Sequence, residues 1–142
     1  MKINHILLVE DNEGDIMLIT DAIDDFEFKT TLSVVKNGKM ALEYLFKIGQ
    51  FEHSVNPDII ILDINLPLKN GLEVLQLIKS NDFIKTIPVV MFTTSSTKSD
   101  IMKSYANYAN AFVTKPVEVL DFLETIKSIG KFWLQTAQLP NK

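Results

Sequence analysis

Cysteine is absent from this chain of 142 residues, and its amino terminus has no long hydrophobic run. Without cysteine the chain cannot form disulfide bonds or a thiolate metal site. The opening stretch MKINHILLVED contains one apolar run of four residues, from Ile6 to Val9, which ends at Glu10. That run is too short for a signal peptide or a membrane span, so a cytoplasmic protein without a membrane partner is expected.

Basic residues are too few for a protein that binds nucleic acid irrespective of sequence. Lys plus Arg number 14 and Asp plus Glu number 18, which gives a formal net charge of −4. A protein that binds nucleic acid irrespective of sequence needs a basic face for the phosphate backbone, so no nucleic-acid partner is expected. The length fits one domain, which would bury roughly two thirds of the surface of its unfolded chain.

Short apolar runs alternate with amphipathic stretches along the whole sequence. The runs predict strands at residues 3–9, 31–35, 59–62, 88–93 and 111–114. Apolar residues at helical spacing predict helices around residues 16–23, 41–46, 72–78, 101–105 and 119–129. Five such β-then-α units predict an α/β fold of the flavodoxin-like (βα)5 type, a doubly wound parallel sheet with strand order 2-1-3-4-5.

Polar residues stand at the ends of four of the five predicted strands. Ligands of such sheets bind at the carboxyl ends of the strands, which share one edge. The residues delivered there are Glu10 and Asp11 by the first strand, Asp63 by the third, Thr93 and Thr94 by the fourth, and Lys115 by the fifth. Each one alone is typical of a turn, a helix cap or a solvent-exposed lysine. Together they predict a functional site at this edge.

The three acidic residues indicate what the site binds. Two carboxylates ~4 Å apart repel each other by about 4 kcal/mol at an effective dielectric of 20, so three of them need a cation. Mg²⁺ prefers carboxylate, water and phosphate oxygens. Together with Lys115 it could hold a phosphoryl group to which a threonine hydroxyl donates. Asp63 would then be the nucleophile, since carboxylates can form aspartyl-phosphate intermediates.

Four stretches of the chain resemble, in order, the motif blocks of the receiver domain of two-component response regulators: ILLVEDN, PDIIILDINLPLKNG, IPVVMFTT and AFVTKP. The resemblance extends over about residues 4–129. It implies that Asp63 accepts a phosphoryl group from a sensor histidine kinase or a histidine phosphotransfer protein. It also implies that Asp11 and Asp63 bind Mg²⁺, or Mn²⁺ in its place. Glu10 would assist, and the main-chain carbonyl of Asn65 would be a further ligand.

The same resemblance implies roles for the remaining site residues. Thr93 would be the switch hydroxyl, with its neighbour Thr94 as an alternative that depends on where the strand ends. Lys115 would contact the phosphoryl group. Phe112 stands where the family has its switch aromatic, although a simple core aromatic is the alternative interpretation. Pro116 would follow Lys115 through a cis peptide bond.

The last residues of the chain include several large apolar side chains. We expect a receiver domain at residues 1–129, with residues 130–142 as an extension of the last helix plus a tail and no effector domain. The stretch FWLQTAQLP resembles the ends of stand-alone receivers that partner bacterial phytochrome-type histidine kinases, some of which are homodimers. Phe132 and Trp133 are therefore candidates for a partner surface, and a homodimer through the last helix and neighbouring elements is an expectation. Packing of Trp133 against its own domain is the alternative.

These observations predict a single-domain response regulator that is phosphorylated on Asp63 and signals by protein–protein contacts. A phosphorelay intermediate, which passes phosphate to a histidine phosphotransfer protein, would have the same sequence features. A small aspartyl-nucleophile phosphatase is disfavoured, because the sequence DIN lacks the second aspartate of the common Asp-x-Asp enzymes. A scaffold that is never phosphorylated is disfavoured by the full acidic set with Lys115. No enzyme activity is expected beyond the protein's own phosphorylation and dephosphorylation.

Overall fold

Five strands and five helices alternate along the chain in a computed structural model that describes residues 3–140. The strands are β1 (Asn4–Val9), β2 (Thr30–Val35), β3 (Ile59–Leu62), β4 (Val89–Thr93) and β5 (Ala111–Thr114). The helices are α1 (Glu13–Asp24), α2 (Gly38–Phe46), α3 (Gly71–Lys79), α4 (Lys98–Ala106) and α5 (Val119–Lys131). A 3₁₀ turn at Gly49–Phe51 follows α2, and a π-helical turn at Phe132–Thr136 follows α5. Residues 1, 2, 141 and 142 of the predicted domain and tail lie outside the described residues.

The strands form one parallel sheet in the order β2-β1-β3-β4-β5, which confirms the predicted fold. Strands β1, β3 and β4 are almost continuously apolar because helices cover both of their faces. In the register of the sheet, Val9 pairs with Leu62 and Leu62 pairs with Met91. The carboxyl ends of β1 and β3 are therefore level, so the residues that follow them lie side by side.

Successive residues of the central strands enter two separate apolar clusters, one on each face of the sheet. Leu7, Leu62 and Met91 belong to the cluster that includes the buried residues of α2 and α3. Their neighbours Ile61 and Phe92 belong to the cluster that includes the buried residues of α1 and α5. This alternation is the period of two expected of a strand that is buried on both faces. It holds the strand ends rigidly at the edge where the polar residues were predicted.

Two Asn-Gly pairs make the turns at that edge tight. Asn37 and Asn70 accept hydrogen bonds from main-chain N–H groups in the first turns of α2 and α3, so each caps its helix. Gly38 and Gly71 follow as the first helical residues. A β-carbon at Gly71 would lie 2.0 Å from the main-chain oxygen of Asp63. Only glycine permits this approach, which brings α3 directly against the end of β3.

Helix α4 has the predicted helical spacing but does not bury its apolar residues. Met102 is 61% exposed and Tyr105 is 50% exposed. Ser104 is the buried residue of this helix, and its hydroxyl donates to the main-chain oxygen of Asp100. The helix lies beside β5, a half-buried edge strand of four residues that offers little surface to cover. An apolar surface is therefore left open to solvent at this end of the sheet.

The end of the chain packs onto the cluster beneath α1 and α5. Phe122, Ile126 and Ile129 are buried along α5, as the spacing of 3 and 4 residues indicates. Trp133 is half-buried against the same cluster, and Leu139 is 7% exposed within it. Trp133 thus packs against its own domain, whereas Phe132 remains 51% exposed. Within residues 3–140, none of the helices has the length and apolar character required to cross a membrane.

Candidate functional site

Glu10 follows β1 and is almost completely buried, with 1% exposure. Its Oε2 accepts hydrogen bonds from the main-chain N–H groups of Asp11 and Asn12, both at 3.1 Å. Its Oε1 accepts from Lys115 Nζ at 2.6 Å. Burial raises the pKa of Glu10 from 4.5 to about 7, against the opposing effect of the hydrogen bond from Lys115. The carboxyl group is therefore held in one position and retains its proton to a higher pH than usual.

Asp63 follows β3 in the same way and is 7% exposed. Its main-chain N–H donates to the carbonyl oxygen of Val9 at 3.1 Å, which joins the ends of β1 and β3. Its Oδ1 accepts from the N–H of Ile64 at 2.7 Å, and its Oδ2 accepts from Lys115 Nζ at 3.0 Å. A carboxylate held by a main-chain N–H at one oxygen and by an ammonium group at the other loses little entropy when it reacts, so the position suits a nucleophile.

Lys115 follows β5 and brings its ammonium group to the centre of the site. Nζ donates to Glu10 Oε1 at 2.6 Å, to Asp15 Oδ2 at 2.8 Å and to Asp63 Oδ2 at 3.0 Å. Burial lowers the pKa of Lys115, but its hydrogen bonds to Asp15 and Glu10 and the charge of Asp63 outweigh this effect. The net result is a pKa above the usual range of lysine, so the group is a permanent cation.

The peptide bond between Lys115 and Pro116 is trans, and none of the peptide bonds among the described residues is cis. The predicted cis bond is therefore wrong for this structure. The trans form of a bond before proline is favoured by about 0.5–1 kcal/mol. Here Lys115 reaches three carboxylates with the bond trans, and its main-chain N–H donates to the oxygen of Thr93 at 2.7 Å.

Asp15 is a member of the site that sequence reasoning missed. It lies in the first turn of α1, where an acidic residue is ordinarily interpreted as favourable to the helix dipole. Helical side chains lean toward the amino terminus of their helix, which here is the edge of the sheet. That direction carries the carboxylate of Asp15 to Lys115. The only available signal was its position just after the acidic pair at the end of the first strand.

Thr93 is the last residue of β4 and is fully buried, whereas Thr94 is exposed. Strand β4 therefore ends at Thr93, which favours Thr93 over Thr94 as the predicted switch hydroxyl. The Thr93 hydroxyl oxygen accepts from the N–H of Ser95 at 3.4 Å. Ser95 in turn donates to Asp100 Oδ2 at 2.6 Å, which ties the loop after β4 to the start of α4. In this structure the Thr93 hydroxyl is thus engaged with its own loop.

Asp11, Asn65 and Phe112 were also predicted as site residues, but none of them forms a hydrogen bond or ion pair with Asp63 in the described part of the chain. Asp11 and Asn65 are exposed in the loops after β1 and β3. Phe112 lies in β5, half-buried against the cluster beneath α2 and α3. Its main-chain N–H donates to the Tyr105 hydroxyl at 3.1 Å, so α4 covers part of the open edge of the sheet.

The carboxylates of Glu10, Asp15 and Asp63 share the ammonium group of Lys115, and Asp11 directly follows Glu10; these four residues are called the carboxylate cluster below. Their hard oxygen donors and excess negative charge fit a divalent cation such as Mg²⁺. No hydrogen bond or ion pair joins the Asp11 carboxylate to other described residues. Across residues 3–140, no three His, Cys, Asp or Glu side chains are arranged to hold a metal together. In this structure the cluster is organised around Lys115.

A groove of about 510 Å³ runs along α5 at the end of the chain. We call it the C-terminal groove. Its apolar wall comprises Val113, Ile129, Phe132 and Trp133, and the acidic residues Asp121 and Glu124 border it. It is separate in sequence from the carboxylate cluster, and it contains both residues that were predicted as a partner surface.

Comparisons with known proteins find relatives that match nearly the whole length of this chain. The sequence model of the response regulator receiver domain family matches residues 6–127 of this chain. Response regulator Rcp1 of Synechocystis sp. is 38% identical over 135 residues, which cover 95% of this chain and 92% of Rcp1. The crystal structure of the phosphorylated cyanobacterial phytochrome response regulator RcpA is 40% identical, with a TM-score of 0.96 and coverage of 98% and 99%. The Mn²⁺-bound form of Rcp1 has a TM-score of 0.93 at 38% identity, with coverage of 96% and 99%.

Proposed function

The chain belongs to the response regulator receiver domain family, and on this premise we propose that it accepts a phosphoryl group on Asp63. The observation that carries the proposal is the position of that carboxylate. It ends a buried strand, it is fixed by the N–H of Ile64, and its other oxygen lies 3.0 Å from the Lys115 ammonium. The donor would be a sensor histidine kinase or a histidine phosphotransfer protein, and nucleic acid would not be a partner.

The reaction needs only a nucleophile and groups that stabilise phosphoryl oxygens. A carboxylate oxygen of Asp63 forms a bond to phosphorus while the bond from phosphorus to the donor's imidazole nitrogen breaks. The electron pair of that bond stays on the nitrogen. Lys115 would donate to a phosphoryl oxygen, and Thr93 would donate to another once its hydroxyl turns from Ser95. These contacts stabilise charge that develops during transfer.

The divalent cation in this proposal would be held by Asp11, Asp63 and the carbonyl of Asn65, with Glu10 assisting. Mg²⁺ is the expected ion and Mn²⁺ its substitute. Such an ion, when bound, neutralises negative charge on the phosphoryl oxygens. The excess of carboxylates over ammonium groups in the cluster supports this assignment, and so does the Mn²⁺-bound structure of the relative Rcp1.

Labelling with acetyl phosphate tests the proposal without a partner protein. We expect the wild-type chain to become phosphorylated in Mg²⁺ and not in EDTA, as measured on phosphate-affinity gels. Asp63→Asn should remain unlabelled, because an amide is a poor nucleophile. Asp21→Asn removes an exposed aspartate of α1 and should be labelled like the wild type. Labelling of Asp63→Asn at the wild-type rate, or labelling of the wild type in EDTA, would contradict the proposal.

Protein–protein contacts would carry the output, and we propose that a second copy of the chain is one such partner. The supporting observation is a set of exposed apolar side chains on α4, on α5 and in the turn that follows α5. Met102, Leu120 and Phe132 are 61%, 76% and 51% exposed. Phe132 also lines the C-terminal groove. Surfaces of this kind commonly mark interaction sites.

Light scattering after size-exclusion chromatography tests the dimer. We expect a mass that approaches twice that of the chain as concentration rises, with and without beryllofluoride as a phosphoryl mimic. Phe132→Ser should shift the protein toward the monomer. Phe83→Ser removes a phenylalanine that is 91% exposed in the loop before β4, outside this surface, and should leave the mass unchanged. A monomer at every concentration would refute the dimer.

A further inference from the structure

We propose that Asp15 is a positioning residue that occupies one donor of the Lys115 ammonium in the unphosphorylated protein. A phosphoryl oxygen would take the place of its carboxylate when Asp63 is phosphorylated. The inference rests on the proposed function of Asp63, and it concerns how readily the phosphoryl donor enters the site.

All three N–H bonds of the Lys115 ammonium are already in use. A lysine side chain has three donors and no acceptor. Here one carboxylate oxygen lies within 3.0 Å of Nζ for each donor, from Glu10, Asp15 and Asp63. No donor is left for a phosphoryl oxygen, so one existing contact has to break before Lys115 can hold one.

Asp15 is the contact that gives way most easily. Its side chain is 22% exposed, against 2% for Glu10 and 8% for Asp63. Glu10 is also held by two main-chain N–H groups, and Asp63 by one. Among the described residues, Lys115 supplies the only hydrogen bond to the Asp15 carboxylate. A released Asp15 side chain can be hydrated at once, whereas Glu10 would remain buried and poorly solvated.

The negative charge of Asp15 also disfavours binding of the phosphoryl donor. A phosphoryl donor is an anion, and it approaches a site in which three carboxylates share one ammonium group. The Asp15 carboxylate competes with the donor for Lys115 and also repels it. Removing this carboxylate should therefore help the donor to bind, while the nucleophile Asp63 and the cation Lys115 remain unchanged.

The test is the dependence of the initial phosphorylation rate on acetyl phosphate concentration at saturating Mg²⁺. Asp15→Asn should lower the half-saturating concentration roughly fivefold, the scale of one partly exposed ion pair, with little change in the maximal rate. Asp15→Glu restores a carboxylate and should return the value toward that of the wild type. Asp21→Asn is the matched control, because it makes the same change on the same helix at an exposed site away from Lys115. It should leave the value unchanged.

An unchanged or raised half-saturating concentration in Asp15→Asn would overturn the inference. So would an equal fall in Asp21→Asn, which would indicate a general effect of net charge. A lower Mg²⁺ affinity of Asp15→Asn in calorimetry would make Asp15 a metal ligand instead of a competitor. If circular dichroism shows that Asp15→Asn is unfolded, Asp15→Ser replaces it in the same assay. A failure of the proposed function itself is distinguishable, because the wild type would then not be labelled at all.

Discussion

The free energy of unfolding of the wild-type chain should fall as pH rises because of Glu10. Replacement of Glu10 by glutamine should abolish this part of the pH dependence. In the folded protein, burial raises the pKa of Glu10 from 4.5 to about 7. Between these pH values the folded chain therefore binds a proton that the unfolded chain has released. The free energy of unfolding falls with rising pH under that condition. The pKa difference corresponds to about 3 kcal/mol, lost mainly between pH 4.5 and 7.

Urea denaturation at a series of pH values between 5 and 8 measures this loss. EDTA is present throughout, because a bound divalent cation would displace the proton from Glu10 and mask the effect. Glu10→Gln cannot titrate at this position, so its stability should fall less with pH than that of the wild type, by about 2–3 kcal/mol over this range. Glu27→Gln, at an exposed glutamate, should follow the wild type. Parallel curves for Glu10→Gln and the wild type would refute the reasoning.

Three other substitutions test the packing and charge of the site and of the chain end by urea denaturation. Lys115→Met leaves buried carboxylates without a cation and should cost about 3–5 kcal/mol at pH 8 and less at pH 5; a loss independent of pH would contradict this. Gly71→Ala places a β-carbon 2.0 Å from a main-chain oxygen and should cost about 3 kcal/mol of stability. Gly14→Ala is the control and should be tolerated, because its β-carbon would meet only a side-chain atom at 3.3 Å. Equal stability of the two alanine variants would refute the close approach. Leu139→Ala should cost about 2–3 kcal/mol and the exposed Leu120→Ala far less; equal effects would show that the tail is not packed.

The sheet could be predicted because its strands are short, apolar and bounded by clear turn signals. Strands β3 and β5 have the predicted bounds, and the other three differ by one residue at their beginnings. Burial on both faces produces continuous apolar runs, which are distinct from the helical spacing between them. Three residues of the site were predictable for a related reason. Glu10, Asp63 and Lys115 directly follow strands, and the carboxyl ends of parallel strands lie at one edge of the sheet.

Features that depend on side-chain direction or on a small energy difference were not predictable. Asp15 reaches Lys115 from a helix, 100 residues away in sequence, and no strand end marks it. The trans bond before Pro116 depends on a difference of about 0.5–1 kcal/mol, which local sequence does not reveal. The exposure of Met102 follows from how little of β5 its helix has to cover, which is a tertiary property.

The chemical location of the phosphoryl group tests the central claim most directly. After incubation with acetyl phosphate and Mg²⁺, borohydride reduction converts an aspartyl phosphate to homoserine, and peptide mass spectrometry then identifies the modified residue. We expect homoserine at position 63, in Mg²⁺ only, with the other carboxylates of the cluster unmodified. Homoserine at another position, or phosphate that resists borohydride on a hydroxyl side chain, would contradict the account.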